Sequence, residues 1–540
     1  MCGICGVMDD GNAYLSDTLE MLSRIRHRGP DSMGAYMDGN IWKGKCLDDF
    51  RGINQKGNIS LGQSRLEIVG GEEGIQPISS SRLAIVHNGE IYNYRELKPL
   101  VRNGSIKGDN DSEILVNFIE EFYDGDLLDA VKKALPFLDG MYAFAVTDGQ
   151  SLVLARDPIG KKPLYFTDEF PFRFASERKA IFNGNGNIKR LVPGAVLEVR
   201  ANEIRIENGR DIEKPPIDIT DMEEALDMYE AVFDKAIEKR IAGLDRVGVL
   251  FSGGIDSVLV ARALQLKGCN TTCYSVGTEN SSDMKMAKKV ARELELDLKV
   301  DYLTEENIKH LLTEIIESIE LNGLLQVEVA IPMYIAARSC SDDGHKVMFS
   351  GQAADELFAG YSWYKDIVRE NGHLTLHHKL WEDIEYLYLD TLEREDRMAM
   401  AHAIEIRAPF LDRELIRTVM RFAPHLKIKD GRDAHRKLVH RNLALRKGIP
   451  KEIAFREKAP AQDGTGVHNV IKALAYKHFK NKDFEEVDLL DYGSNYRYID
   501  EDYGTPEMIA FLSEITSKNN VEILATDNEE PRFVKTDKLR

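Results

Sequence analysis

The sequence predicts an α/β protein of two domains, on three observations. Short apolar or alternating runs, broken by Gly, Asn and Asp, fill the first 208 residues. A Pro pair among charged residues closes that stretch. Beyond it, strand-length apolar runs alternate with amphipathic helical ones. At 540 residues the chain is too long for one ordinary domain. Its 43% hydrophobic and 30% charged residues exclude long disorder and collagen-like repeats.

Taken in order, Leu15, Leu19, Leu22 and Ile25 recur near helical spacing, which predicts a helix over Ser16–Arg26, stopped by Gly29-Pro30. The runs at 82–94, 141–157 and 195–207 read as strands separated by Asn-Gly, Asp-Gly and Ala-Asn turns. These predict a β-sandwich flanked by helices over about 1–208. Residues 209–222, with Pro215-Pro216, form the linker, because a Pro pair continues neither a helix nor a central strand. Met222–Ile241 then reads as an amphipathic helix. A strand at Val247–Phe251, a helix at Val258–Lys267, a strand at Thr271–Val276, a helix at Met284–Leu294 and a strand at Leu298–Leu303 follow. That order predicts a parallel sheet with helices on both faces, plus a helical extension, over 223–520. Residues 521–540 form a polar tail.

Lys and Arg number 71 against 90 Asp and Glu, a net charge of −19, which disfavours a nucleic-acid partner. No apolar run reaches the roughly 18–20 residues of a membrane span. Six Cys are too few for a disulfide framework, and MCGICGVMDD lacks the shape of an export signal, so a cytoplasmic location is expected. Cys46, Cys269, Cys273 and Cys340 are expected to pack as small buried hydrophobes.

Ser252-Gly253-Gly254-Ile255-Asp256-Ser257 follows a strand and opens a helix. Paired Gly permits a tight turn, two hydroxyls and the helix N-terminus favour an anion, and Asp256 among phosphates implies a divalent cation. The alternative is a plain strand-to-helix turn capped by Ser. The loop is neither G-x-x-x-x-G-K-[ST] nor G-x-G-x-x-G.

SGGIDS resembles the pyrophosphatase loop of enzymes that split ATP into AMP and pyrophosphate. Further blocks, Ser350–Tyr361, Arg394–His402, Glu405–Asp412 and Arg456–Lys458, stand in the order found in glutamine-dependent asparagine synthetases. The chain resembles that family over nearly its whole length. The resemblance implies an N-terminal nucleophile-type αββα glutaminase domain joined to a parallel-sheet ATP pyrophosphatase synthetase domain. It implies ATP, glutamine and aspartate as substrates, Mg²⁺ as cofactor, and a homodimer as the assembly.

Cys2 would become the chain start once Met1 is removed. An α-amine of pKa about 7.7–8.0 could then take the thiol proton without a separate base. The resemblance assigns Cys2 as nucleophile, Asn88 and Gly89 as the oxyanion hole, and Arg65, Asn88, Glu90 and Asp111 to glutamine. The alternative for Asn88-Gly89 is a hairpin turn. Arg26–Asp31 and Phe174–Glu177 also match the glutaminase family, without an assigned chemical role. In the second domain the resemblance places ATP at Leu250, Ser252, Gly253, Gly254, Asp256, Ser257, Val276, Ser350 and Gly351. It places phosphate contacts at Arg397 and Lys458, and the metal at Asp256 and Asp355. The alternatives are a solvated helix charge for Arg397 and a helix cap for Asp355. Gln352 departs from the pattern, because relatives often carry a Glu there as general base, and an amide cannot take a proton. The departure leaves amidation of another carboxylate as the competing reaction. An RNA-modifying enzyme and a non-catalytic descendant are the competing classes.

Overall fold

A computed structural model describes residues 2–68, 70–102, 106–181, 187–432, 435–456, 464–480 and 504–518. The polar tail at 521–540 and Lys458 lie outside the described residues. The chain divides into two compact units. One is Met1–Glu213 with Met400–Glu405, the other Lys214–Ala399 with Ile406–Arg540. No described helix is long and apolar enough to cross a membrane.

The first unit stacks two antiparallel sheets. In the seven-stranded one the N-terminal strand Cys2–Tyr14 lies between Lys56–Arg65 and Phe172–Ala175. The six-stranded one runs Glu203–Asn208, Ala195–Arg200, Ser151–Arg156, Gly140–Thr147, Ala84–Ile91, Ile78–Ser79. Alternation along these strands sorts their side chains. Ala84, Val86, Ala143, Ala145, Leu154 and Leu197 join Ile4 and Leu61 in one core cluster between the sheets. The intervening Ile85, Phe144, Val153 and Val196 pack with the helices Asp111–Glu120 and Leu127–Ala134. On the other outer face a Cβ at Gly62 would meet Leu22 and Thr18 within 3 Å, so the helix Leu15–Arg24 lies directly on the strand. The layering is αββα. Ala201 and Asn202, both at positive φ, make the two-residue hairpin turn read from the sequence.

The second unit holds a five-stranded sheet in the order Asp297–Tyr302, Asn270–Gly277, Arg246–Leu250, Val347–Phe349, Glu405–Arg407. The first four strands are parallel. Successive strands step outward from Arg246–Leu250 on one side, and then Val347–Phe349 returns to its other side. The C-terminal end of Arg246–Leu250 is therefore a topological switch point, where open α/β sheets bind ligands. The helix Met222–Ile241 starts where the Asp221 carboxylate accepts from the Glu224 N–H at 2.9 Å. It buries Leu226, Tyr229, Phe233 and Ile237 along one stripe.

Two sequence expectations fail here. Cys46 is exposed and Cys269 half-buried; only Cys273 and Cys340 are buried as expected. Cys46 stands at the N-cap of a surface 3₁₀ turn, Leu47–Phe50, where the Asp49 carboxylate accepts from its N–H. Asn88-Gly89 is no hairpin turn. It lies inside the continuous strand Ala84–Ile91, paired throughout with Gly140–Thr147.

Lys427 is fully buried, its ammonium nitrogen 3.3 Å from the Met420 sulfur. Burial lowers its pKa to about 7. Burial, with the Lys427 charge second, likewise lowers nearby His377 to about 4. Above about pH 7 the folded chain sheds a proton that the unfolded chain keeps until its ordinary lysine value, near 10.4. Stability from this site therefore rises with pH across that window. Lys427→Met is expected to raise the urea midpoint at neutral pH by roughly 3 kcal/mol equivalent. The gain should shrink towards wild type near pH 10, and a gain independent of pH would contradict the assignment.

Candidate active sites

Cys2 is the first described residue of the N-terminal strand and lies opposite Arg65 in the antiparallel register. Its backbone nitrogen, which stands in for the α-amine that removal of Met1 would create, donates to Asn88 Oδ1 at 3.2 Å. Asn88 is fully buried, and its Nδ2 has no hydrogen-bond partner. A buried amide donor without an acceptor costs on the order of 1–3 kcal/mol, so it is a group kept for a ligand. At Gly89, φ is +150°, and a Cβ would come within 2.0 Å of the Met141 carbonyl oxygen, so no other residue fits there. The two are groups of the kind an oxyanion hole needs: a side-chain N–H and a position where the backbone can be approached closely.

Burial pushes the Cys2 thiol up, while the terminal charge, the Leu66 N–H and Arg65 pull it down. Arg65 is nearly buried, and a Cβ at Gly74 would come within 2.5 Å of its guanidinium, so the 70–74 loop closes upon it. Asp111 Oδ2 accepts from the Ile91 N–H at 3.0 Å and lies 3.7 Å from His87 Nδ1. Glu90 follows Gly89 on the same strand.

Sequence reasoning quoted Arg26–Asp31 and Phe174–Glu177 without a role, and the structure supplies one. Arg28 Nε donates to the Cys2 carbonyl at 3.2 Å, and its Nη1 pairs with Glu177 at 2.7 Å. Burial alone would raise the Glu177 carboxyl, but His27, Lys179 and Arg28 outweigh it and hold it well below the usual range. The two segments form a buried ionic brace behind Cys2.

In the second unit the loop after Arg246–Leu250 and the loop after Val347–Phe349 leave neighbouring parallel strands side by side. Gly253 has φ +70°, and a Cβ there would press within 3 Å of the Ala287 backbone. A Cβ at Gly351 would press within 2.9 Å of the Asp256 side chain. Contact between SGGIDS and the 350–361 block thus depends on Gly351, and contact between SGGIDS and the helix Ser282–Glu293 depends on Gly253. Ser252 Oγ accepts from the Gly254 N–H at 3.2 Å and lies 3.4 Å from Ser257 Oγ. The helix Ile255–Leu266 has Gly254 at its N-cap and no side-chain cap, so the Ser-capped-turn alternative does not hold. Leu250 and Val276 sit at the C-terminal ends of adjacent strands, and Ser350 is buried. Asp355 lies within the first turn of Ala354–Phe358, whose N-cap is Ala353, so it is not a cap.

Lys437 draws the acids together: its ammonium is 2.6 Å from Asp256 Oδ1 and 2.8 Å from Asp355 Oδ1. A Cβ at Gly360 would collide with both Lys437 and Asp355. His440 Nε2 lies 3.1 Å from Asp256 Oδ1, short of good hydrogen-bond alignment, and its Nδ1 is 2.8 Å from the Tyr229 hydroxyl. Burial lowers the imidazole pKa, with Asp256 pulling the other way. Sequence reasoning missed both residues. Their only local signal is the run HRKLVHR (435–441), which looks like any basic helix start. Arg397 is 2% exposed, so the solvated-charge alternative fails. It donates to the Ile319 carbonyl at 2.6 Å and lies 3.5 Å from Glu320 and 3.6 Å from Glu393. Gln352 Nε2 donates to Thr391 Oγ1 at 2.9 Å, within a π-helical segment, Tyr388–Leu392.

A glutamine amidotransferase domain model matches residues 48–210, and an asparagine synthase model matches 228–374 and 368–512. These matches define a glutamine amidotransferase joined to a synthetase. A putative glutamine-hydrolysing asparagine synthetase from Methanocaldococcus jannaschii is 33% identical over 543 residues, covering 90% of this chain and 98% of its own. One from Asparagus officinalis is 29% identical, covering 89% and 81%. Among solved structures, glutamine phosphoribosylpyrophosphate amidotransferase from B. subtilis aligns with TM-score 0.35 and 20% identity over 52% of this chain and 67% of its own. The chain belongs to the glutamine-hydrolysing asparagine synthetase family.

Cys2→Ala is expected to abolish glutamine-driven synthesis and keep synthesis driven by ammonium salts; unchanged glutamine use would remove Cys2 from its role. Asn88→Ala should lower glutaminase kcat by about 10²–10³ with little change in KM, measured as ammonia release.

Proposed function

We propose that this protein amidates aspartate to asparagine in the cytoplasm, with ATP as the activating substrate and glutamine as the nitrogen source. In the first unit the Cys2 thiol passes its proton to the freed α-amine and attacks the glutamine amide. Asn88 Nδ2 and the Gly89 N–H receive the oxyanion, Arg65 pairs with the substrate α-carboxylate, and Glu90 and Asp111 pair with its α-ammonium. Loss of ammonia leaves a thioester, which water then hydrolyses to glutamate.

In the second unit a carboxylate oxygen of the acceptor attacks the α-phosphorus of ATP. An acyl adenylate forms and pyrophosphate departs. Ammonia then displaces AMP and gives the amide. Ser252, Ser257 and the helix N-terminus behind them hold the departing phosphates. Leu250 and Val276 flank the adenine, Ser350 and Gly351 border the nucleotide, and Arg397 and Lys458 add positive charge.

Asp256 and Asp355 come close enough to share one ammonium, which fits a shared divalent cation. Among the described residues no group of three or more His, Cys, Asp or Glu forms a closed metal site, so phosphate oxygens and water would complete the shell. Mg²⁺ bound there would neutralise charge building on the pyrophosphate. The observation that carries this reading is the meeting of Asp256 and Asp355, from two loops, at the switch point of the sheet.

With aspartate, glutamine and Mg-ATP, asparagine, AMP and pyrophosphate are expected in equal amounts. ADP with inorganic phosphate would overturn the scheme. Gln352 favours one second reading, amidation of a different carboxylate; pyrophosphate release with another acid but not with aspartate would establish it.

A further inference from the structure

Behind the two carboxylates stand two side chains, Tyr229 and His440, that the proposed reaction does not use directly, and they join Asp256 in a chain. Tyr229 comes from the helix Met222–Ile241, His440 from the helix Leu438–Arg446, and Asp256 from the cradle loop. Tyr229 and His440 are fully buried. The imidazole is clamped among aromatic rings: Phe358 stacks at 4.7 Å between centroids and Phe410 sits edge-on at 5.4 Å.

We propose that His440, held by Tyr229, is a positioning residue that fixes the carboxylate of Asp256 in the pyrophosphate cradle. The inference deepens the reading of that loop and rests on it.

The tautomer follows from the neighbours. An unprotonated Nε2 would set a lone pair beside the Asp256 carboxylate oxygen, 3.1 Å away, with no proton between them. The ring proton therefore belongs on Nε2, beside the carboxylate though off the line of a full hydrogen bond, and Nδ1 accepts from the Tyr229 hydroxyl at 2.8 Å. Tyr229 can supply that proton steadily, because burial, and Asp256 after it, hold its phenol well above the ordinary range.

Packing alone does not account for the residue. An apolar side chain would fill the aromatic clamp without burying two ring nitrogens. Both nitrogens instead face polar atoms, one on each side of the ring. The division of labour with Lys437 is also physical. Both donors converge on Asp256 Oδ1, at 2.6 and 3.1 Å. Lys437 brings charge on a stem with four torsions. His440 brings a rigid ring with a fixed orientation, and as a neutral donor it leaves the negative charge of Asp256 available to the cation. Partners of this outer kind typically change metal affinity by 10–100-fold when removed.

The test uses the full chain and calorimetric titration with pyrophosphate in the presence of Mg²⁺. His440→Leu is expected to weaken binding about tenfold and Tyr229→Phe about threefold, with the double variant no weaker than His440→Leu, since Tyr229 acts through the ring. His440→Gln, whose amide can still reach Asp256, should recover most of the loss. In ammonia-driven turnover both single variants should raise the KM for Mg-ATP more than they lower kcat. Circular dichroism and the urea midpoint report folding, and Tyr229→Phe keeps the ring packing should His440→Leu fail to fold.

Asp256→Asn is the reference. If it binds Mg-pyrophosphate as wild type does, the reading of the loop fails, and the inference with it. If Asp256→Asn loses binding while His440→Leu and Tyr229→Phe stay within twofold of wild type, the inference alone is overturned. Additive losses in the double variant would overturn the coupling through the ring.

Discussion

Chemistry in the first unit depends on one constraint, the burial of the beginning of the chain as an interior strand. Cys2–Tyr14 is paired on both sides, so the residue that starts it has a position set by ladder hydrogen bonds rather than by a loop. Register then does the rest. With Cys2 opposite Arg65, the proposed nucleophile and the cation proposed to bind the substrate carboxylate are neighbours by backbone geometry. The strand Ala84–Ile91 of the second sheet brings Asn88 to the Cys2 nitrogen across the sandwich. The Arg28–Glu177 brace closes the site from behind, a pairing between segments 149 residues apart. A one-residue slip of the first strand would turn Cys2 away from all of these at once.

The second unit solves the same problem by other means. Its cradle lies just past the strand ends, where ladder bonds stop at Phe251 and Ser350 and two loops meet at a close approach that Gly351 permits. Ala353, Ala359 and Lys437 all adopt left-handed backbone conformations around the acids. Non-Gly residues there cost on the order of 1 kcal/mol each. That strain is offset by the packing of the surrounding helices, and it places a Lys, a His and two Asp within touching distance.

Much of this was legible in the sequence, for identifiable reasons. The order of strands and helices from 222 to 303 is written in hydrophobic periodicity, and the helix Met222–Ile241 carries its own cap. The SGGIDS loop declares itself because Gly pairs and hydroxyls have few other uses after a buried strand. What stayed hidden depends on long-range contact. Lys437 lies 181 residues from Asp256, and nothing local separates a Lys bound for a buried ion pair from one on the surface. The alternative of a solvated charge stayed open for Arg397 for the same reason, since an Arg among acids on a helix reads as solvated until burial is known. Asn-Gly reads as a turn until a partner strand is seen to need the missing Cβ. Cys46 shows the converse error, in which average burial of a residue type stood in for the position of one residue.

The buried first strand also sets a deadline. The peptide bond before Cys2 joins a residue that is already paired and 8% exposed in the finished unit. An aminopeptidase works on a loose, extended end. In the proposed scheme, release of Met1 would therefore have to precede closure of the sandwich. Under that scheme a chain that folded first would lack glutamine chemistry, while its ATP-dependent half would remain whole.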